Sequence, residues 1–149
     1  MLEGWYPYRM TDWSIREGGL DDIPAVLALW RVAGSVPTPS DRSDSLATLV
    51  EHDPRALLVA ESQGMLVGSL IAAWDGWRGS FHRLAVRPGH RRRGLAAGLV
   101  RMGEDRLRAR GAIRLVAIVA RDEEAAFEFW AAQGYTFQPD HLRFTVDDG

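Results

Sequence analysis

The chain has 149 residues, a length that supports one domain with its own core. Hydrophobic residues make up 46% and charged residues 26%, the balance of an ordinary globular protein. All 18 basic residues are arginine, and the net charge of −2 argues against a general nucleic-acid binder, while the lack of cysteine excludes disulfides, a thiol nucleophile and thiolate metal sites. No apolar run reaches membrane-span length and the first residues lack a secretory leader pattern, so a cytoplasmic location without membrane contact is expected.

Residues 1–11 carry Trp5, Tyr6, Pro7 and Tyr8 without periodicity and read as an N-terminal tail, leaving 12–149 as the domain. Trp13 to Glu17 alternates and reads as a strand that ends at Gly18-Gly19. After Asp21-Asp22, the positions Ile23, Val26, Leu27 and Trp30 form one helical stripe, with Pro24 tolerated in the first turn. A loop with two prolines covers Gly34 to Asp41. A second helix carries Leu46, Leu49 and Val50 and breaks at Asp53-Pro54. Ala56–Glu61 and Met65–Trp74 read as a hairpin, in which Gly68 marks a bulge or a close backbone approach. The connector Trp74 to Gly79 follows, carrying two indoles, a carboxylate and a guanidinium.

Ser80 to Arg87 is strand-like through Phe81, Leu84 and Val86, and Pro88-Gly89 stops it. His90 to Arg93 make a basic turn, and Gly94 opens a run of helix formers to Arg110. Strand, basic turn, glycine and helix together aim free N–H groups at the positive end of a helix dipole, which suits phosphate. A side chain at Gly94 would hold a ligand off those amides, and Ala96 is small for the same reason. Neither a G-x-G-x-x-G nor a G-x-x-x-x-G-K-[ST] motif competes. Gly111 caps that helix. Ile113 to Val119 is nearly all apolar and β-branched, as a central strand would be. A last helix after Asp122 presents Ala126, Phe129, Trp130 and Gln133 and stops at Gly134, and Tyr135–Gln138 and His141–Val146 read as closing strands.

The spacing Arg91-x-x-Gly94-x-Ala96, led by Leu84-Ala85-Val86-x-Pro88, is similar to the pyrophosphate signature of the GNAT superfamily of acyl-CoA N-acyltransferases. The later segment Ala125 to Tyr135 resembles a second motif of that family. The resemblance spans about Trp13 to Val146. It implies an α+β, three-layer αβα fold: a mixed, mostly antiparallel sheet of six to seven strands with a central splay, flanked by about four helices. It further implies acetyl-CoA as co-substrate, held by Leu84, Ala85, Val86, Arg91, Arg92, Arg93, Gly94, Leu95, Ala96 and Ala97, with backbone N–H groups around Ala85 and Val86 polarising the thioester. A primary amine of a small molecule or a peptide is the implied acceptor, with Asp75 and Trp77 beside it and a monomer or homodimer as the assembly.

This sequence departs from the family pattern where protons move. The family's tyrosine acid falls on Trp130, whose indole N–H is no acid at neutral pH, the frequent glutamate falls on Ser80, and an asparagine falls on Glu123. His82 is the candidate substitute base, on the strand parity of Leu84 and Val86 and with a suitable titration range, the alternative being a structural packing or hydrogen-bonding role. The other histidines, His52, His90 and His141, stand at non-ligand spacings, so no metal is expected. The same departures also suit an acyl-CoA-binding module of the same fold with little or no catalysis.

Overall fold

The computed structural model describes residues 12–148. Among them, β1 (Ser14–Glu17), β2 (Leu57–Ser62), β3 (Met65–Trp74), β4 (Gly79–Val86) and β5 (Leu115–Ala117) form one sheet in that order. Neighbours from β1 to β4 are antiparallel, and β4 runs parallel to β5. The helices are α1 (Ile23–Ala33), α2 (Ser43–His52), α3 (Leu95–Arg110) and α4 (Glu124–Ala132).

β2 shows why the sheet is the middle layer. Its Leu57 and Val59 pack with Ile23, Val26, Leu29 and Trp30 of α1 and with Leu46 and Val50 of α2. The alternate residues Leu58 and Ala60 pack instead with Leu95, Leu99, Val100 and Leu107 of α3 and with Trp130 of α4. A strand covered on both faces must be apolar at every position, hence the unbroken Leu-Leu-Val-Ala run. The three-layer αβα arrangement follows directly.

Two glycines let α3 lie close to the sheet. A Cβ on Gly68 would sit 2.5 Å from Leu95 Cδ2, and one on Gly103 would sit 2.8 Å from Phe81 Cε1. Gly68 is also next to a shift in the β2–β3 register. Both features anticipated for it are therefore present.

The sheet differs from expectation at its far edge. It has five strands among the described residues, not six to seven. Ile113–Val119 contributes only the three residues of β5, at an edge and not in the centre, and Ile113 is 99% exposed. Tyr135–Gln138 and His141–Val146 form no strands. The cause is local: the ladder to β4 covers Gly79 to Phe81 alone, so β5 offers too short an edge to template further pairing. The N-terminal tail expected over residues 1–11 lies outside the described residues.

Candidate active site

β4 and β5 pair only as far as Phe81 and Ala117. From His82 to Val86, the edge of β4 that faces away from β3 has no strand partner among the described residues. Beside this opening lies a cavity of about 620 Å³. Its floor is Phe81, Ile71 and Trp130, and its sides come from the α1–α2 loop, from the segment after β5 and from α4. The splay expected from the sequence is thus present as an unpaired strand edge with a cavity against it.

His82 reaches this cavity, as do Arg83 and Leu84. Three consecutive residues of a strand can line one cavity because the β3–β4 register slips between Ser69 and Ile71, which stand opposite Ala85 and His82. The His82 Nε2 lies 3.0 Å from the Ser80 hydroxyl. Burial pushes the imidazole below its ordinary value, and the positive charges of Arg143 and Arg83 push it the same way. His82 is therefore neutral at pH 7 and able to accept a proton. Trp130 is 7% exposed and packs on Phe81 and Tyr135, with ring centroids 5.5 and 5.0 Å away. It is a wall of the cavity.

The basic turn is built as a cradle. Arg92 (φ 64°) and Gly94 (φ 78°) are both left-handed, and they turn the chain into the first turn of α3. The first helical bond runs from the Gly98 N–H to the Gly94 carbonyl, which leaves the N–H groups of Leu95, Ala96 and Ala97 without an intrahelical acceptor. No atom lies within 4 Å of the place a Cβ on Gly94 would take, so the space in front is open. Earlier in the same turn, His90 Nδ1 is buried with no partner among the described residues. An open, left-handed helix entrance with unsatisfied donors fits a pyrophosphate.

The arginines of the turn do different work from one another. Arg91 donates through Nε to the Val86 carbonyl at 3.1 Å and through Nη2 to the Ala33 carbonyl at 2.9 Å, so it ties the turn to β4 and α1. Arg93 faces Asp12 at 3.5 Å. Of the strand residues expected at the cofactor, Leu84 lines the cavity, whereas Ala85 and Val86 turn their side chains into the two cores.

Asp75 and Trp77 are not brought to the cavity. The Asp75 Oδ1 accepts the N–H groups of Trp77 and Arg78 at 2.8 and 2.6 Å, and these bonds, that of Arg78 foremost, hold its carboxyl below the usual range. Trp77 is 67% exposed, with the Arg78 guanidinium 4.0 Å above its ring. Sequence reading missed Asp41 and Arg143, which carry charge at the cavity, and took Glu123, which also lines it, only as a departure from the family's asparagine. Both lie far along the chain from the signature, Asp41 in a loop without periodicity and Arg143 in a segment whose alternation reads as a strand.

Residues 23–135 match the model of the acetyltransferase (GNAT) family. The chain belongs to this family of acyltransferases. An acetyltransferase of Yersinia pestis (strain Pestoides F) is 35% identical over 118 residues, which cover 79% of this chain and 84% of the relative. One from Photorhabdus laumondii subsp. laumondii is 37% identical over 112 residues, covering 75% and 78%. The fold is shared with Ard1 from Thermoplasma volcanium at a TM-score of 0.77 and 19% identity, over 86% of this chain and 85% of that one. It is shared too with the PaiA N-acetyltransferase from Thermoplasma acidophilum in complex with coenzyme A, at 0.74 and 14%, over 87% and 92%. Transfer of an acetyl group is the general activity of this GNAT chain. None of its described helices is long and apolar enough to cross a membrane.

Proposed function

We propose that this GNAT chain is an N-acetyltransferase that moves the acetyl group of acetyl-CoA to a primary amine of a small molecule or peptide by direct attack. The observation that carries the reading is the unpaired edge of β4, which joins the His82 cavity at one end to the α3 entrance at the other. When bound, acetyl-CoA supplies an acetyl group activated as a thioester with a thiolate leaving group. The open N–H groups of Leu95, Ala96 and Ala97 and the left-handed Gly94 would hold its pyrophosphate, while Arg91 keeps the turn in shape. Arg92 and Arg93 add positive charge at the same mouth.

The free edge of β4 offers main-chain donors in a site screened from water on one side, the setting in which a developing oxyanion is best stabilised. An alkyl ammonium must lose a proton before it can attack, since its pKa is near 10. His82 takes that proton, directly or through the Ser80 hydroxyl, which gives its own proton to Nε2 as it receives one from the amine. The second proton of the attacking nitrogen goes to the departing thiolate or to water as the thioester bond breaks, and no side-chain acid is assigned to that step, because Trp130 cannot supply one.

Calorimetric titration with acetyl-CoA, followed by an amine screen for thiol release, tests this reading. Micromolar binding of acetyl-CoA and turnover that falls in His82→Gln support it. Binding without turnover by any amine would favour the catalytically silent module, and no binding would overturn the cofactor assignment itself.

A further inference from the structure

Arg83 stands in the bulge of β4 with a left-handed backbone (φ 57°), a conformation that β-branched and bulky residues adopt only at a cost. Its side chain leaves the sheet and crosses to the loop between α1 and α2. Nη2 donates to the Val36 carbonyl at 2.9 Å, to Asp41 Oδ2 at 2.5 Å and to Thr38 Oγ1 at 3.3 Å, while Nε donates to Asp41 Oδ1 at 3.1 Å. The two charged side chains are 16% and 17% exposed. The same carboxylate gathers the loop on itself, accepting the Thr38 N–H and hydroxyl, each at 3.1 Å.

We propose that Arg83 is a positioning residue that latches the α1–α2 loop as the acceptor-side wall of the cavity and thereby sets acceptor affinity. This rests on the acetyl-transfer reading of that cavity. Val36, Thr38, Ser40 and Asp41 line it, and the loop that carries them has no strand or helix of its own to order it. Arg83 supplies that order from the sheet. Its own carbonyl accepts the Ser69 hydroxyl at 3.3 Å, and Ser69 Oγ accepts the Trp30 indole N–H at 2.9 Å, so strand, loop and α1 meet at one residue. Only a planar fork can hold a carboxylate through two nitrogens and still reach a carbonyl, which is why a lysine would not serve. A wall ordered in advance spares an incoming acceptor the entropy of ordering it. Because Asp41 is neutralised by Arg83, it is not free to grip the acceptor's ammonium.

Arg83→Gly removes the latch, since glycine keeps the left-handed bulge at no steric cost, and because it also removes a charge that pushes His82 down, the kinetics are read at about pH 8.5, above the ordinary imidazole range. Asp41→Asn, which keeps the shape and removes the charge, serves as a second variant. Trypsin can report on the loop directly, because Arg42 ends it. In the full-length protein, both variants are expected to be cut after Arg42 several-fold faster than the parent. In Arg83→Gly the acceptor KM should rise about tenfold, with kcat and the acetyl-CoA KM within about twofold, as expected for an ordering cost met only on acceptor binding. Unchanged cutting in both variants overturns the latch. Faster cutting with an unchanged acceptor KM overturns its role in affinity. Should the parent transfer acetyl to no amine, the reading of the cavity fails instead, and the trypsin result still decides whether the loop is latched.

Discussion

Gly94→Val tests the phosphate cradle most directly. At φ 78° a valine is held in a left-handed conformation, at a cost of about 1–2 kcal/mol for an L-residue. No clash adds to this, because nothing lies within 4 Å of the new Cβ. The fold should therefore survive with a lower melting temperature. The branched side chain, however, would stand at the entrance where the N–H groups of Leu95 to Ala97 open. Losing two charge-assisted bonds there removes about 3 kcal/mol, or roughly a hundredfold in acetyl-CoA affinity. Gly111→Val is the matched control: it is also left-handed (φ 111°), also free of neighbours, and caps the other end of α3. Sixteen residues of helix separate the two sites, about 24 Å. Thermal unfolding should show similar losses for both variants, while calorimetric titration should show weakened binding only for Gly94→Val. Unchanged acetyl-CoA affinity in a folded Gly94→Val protein would refute the placement of the pyrophosphate.

Protons and packing give further expectations. His82 is held below its ordinary 6.5 when folded, so the acid limb of kcat/KM should have its midpoint below pH 6.5 and should vanish in His82→Gln. The unfolded chain takes up this proton first as pH falls, so His82 should also lower stability below about pH 6.5, seen as a smaller pH slope of unfolding in the variant. Asp53 is paired with Arg106, and the two are 14% and 9% exposed, with the guanidinium also donating to the Ala72 carbonyl. Asp53→Ala leaves that cation uncompensated and should cost about 3 kcal/mol in urea unfolding, whereas a cost under about 1 kcal/mol would mean that water reaches the site. Gly103→Ala forces a Cβ against the Phe81 ring and should cost about 1–3 kcal/mol, unless α3 can shift outward.

Much of the fold was legible because its signals are local. The two apolar runs of Ala56 to Trp74, parted by a short turn with Gly64, specify a hairpin, and the stripe at Ile23, Val26 and Trp30 specifies a buried helix face. The basic turn and Gly94 were legible for the same reason: cradle, turn and helix start are consecutive in the chain. Ile113 to Val119 misled because composition reports how apolar a strand is, not whether a neighbour stays beside it. Beyond Ala117 the partner strand has gone its own way, and apolar residues there face a cavity. Leu142, Phe144 and Val146 alternate like a strand yet are 78%, 89% and 82% exposed. Periodicity predicts a face but cannot supply an edge to pair with. Asp75 and Trp77 show the same limit: an Asp-Gly turn with an aromatic reads alike whether its carboxylate binds a ligand or caps its own backbone.

The charged residues at the cavity escaped reading for a deeper reason, which bears on how acceptor choice is separated from catalysis in this chain. The donors proposed for acetyl-CoA are main-chain groups, fixed by the shape of one contiguous turn and nearly independent of side-chain identity. His82, the proposed base, belongs to the strand that leads into that turn, so the proposed chemistry and cofactor site share one rigid element. The wall proposed to face the acceptor instead comes from a loop anchored 42 residues away, where Asp41 meets Arg83, and from Arg143 near the end of the described residues. Such contacts are set by side chains that can change without disturbing the sheet. The separation lets one scaffold keep its transfer step while the acceptor changes. The latch at Arg83 is then the point at which the variable wall is fastened to the constant one.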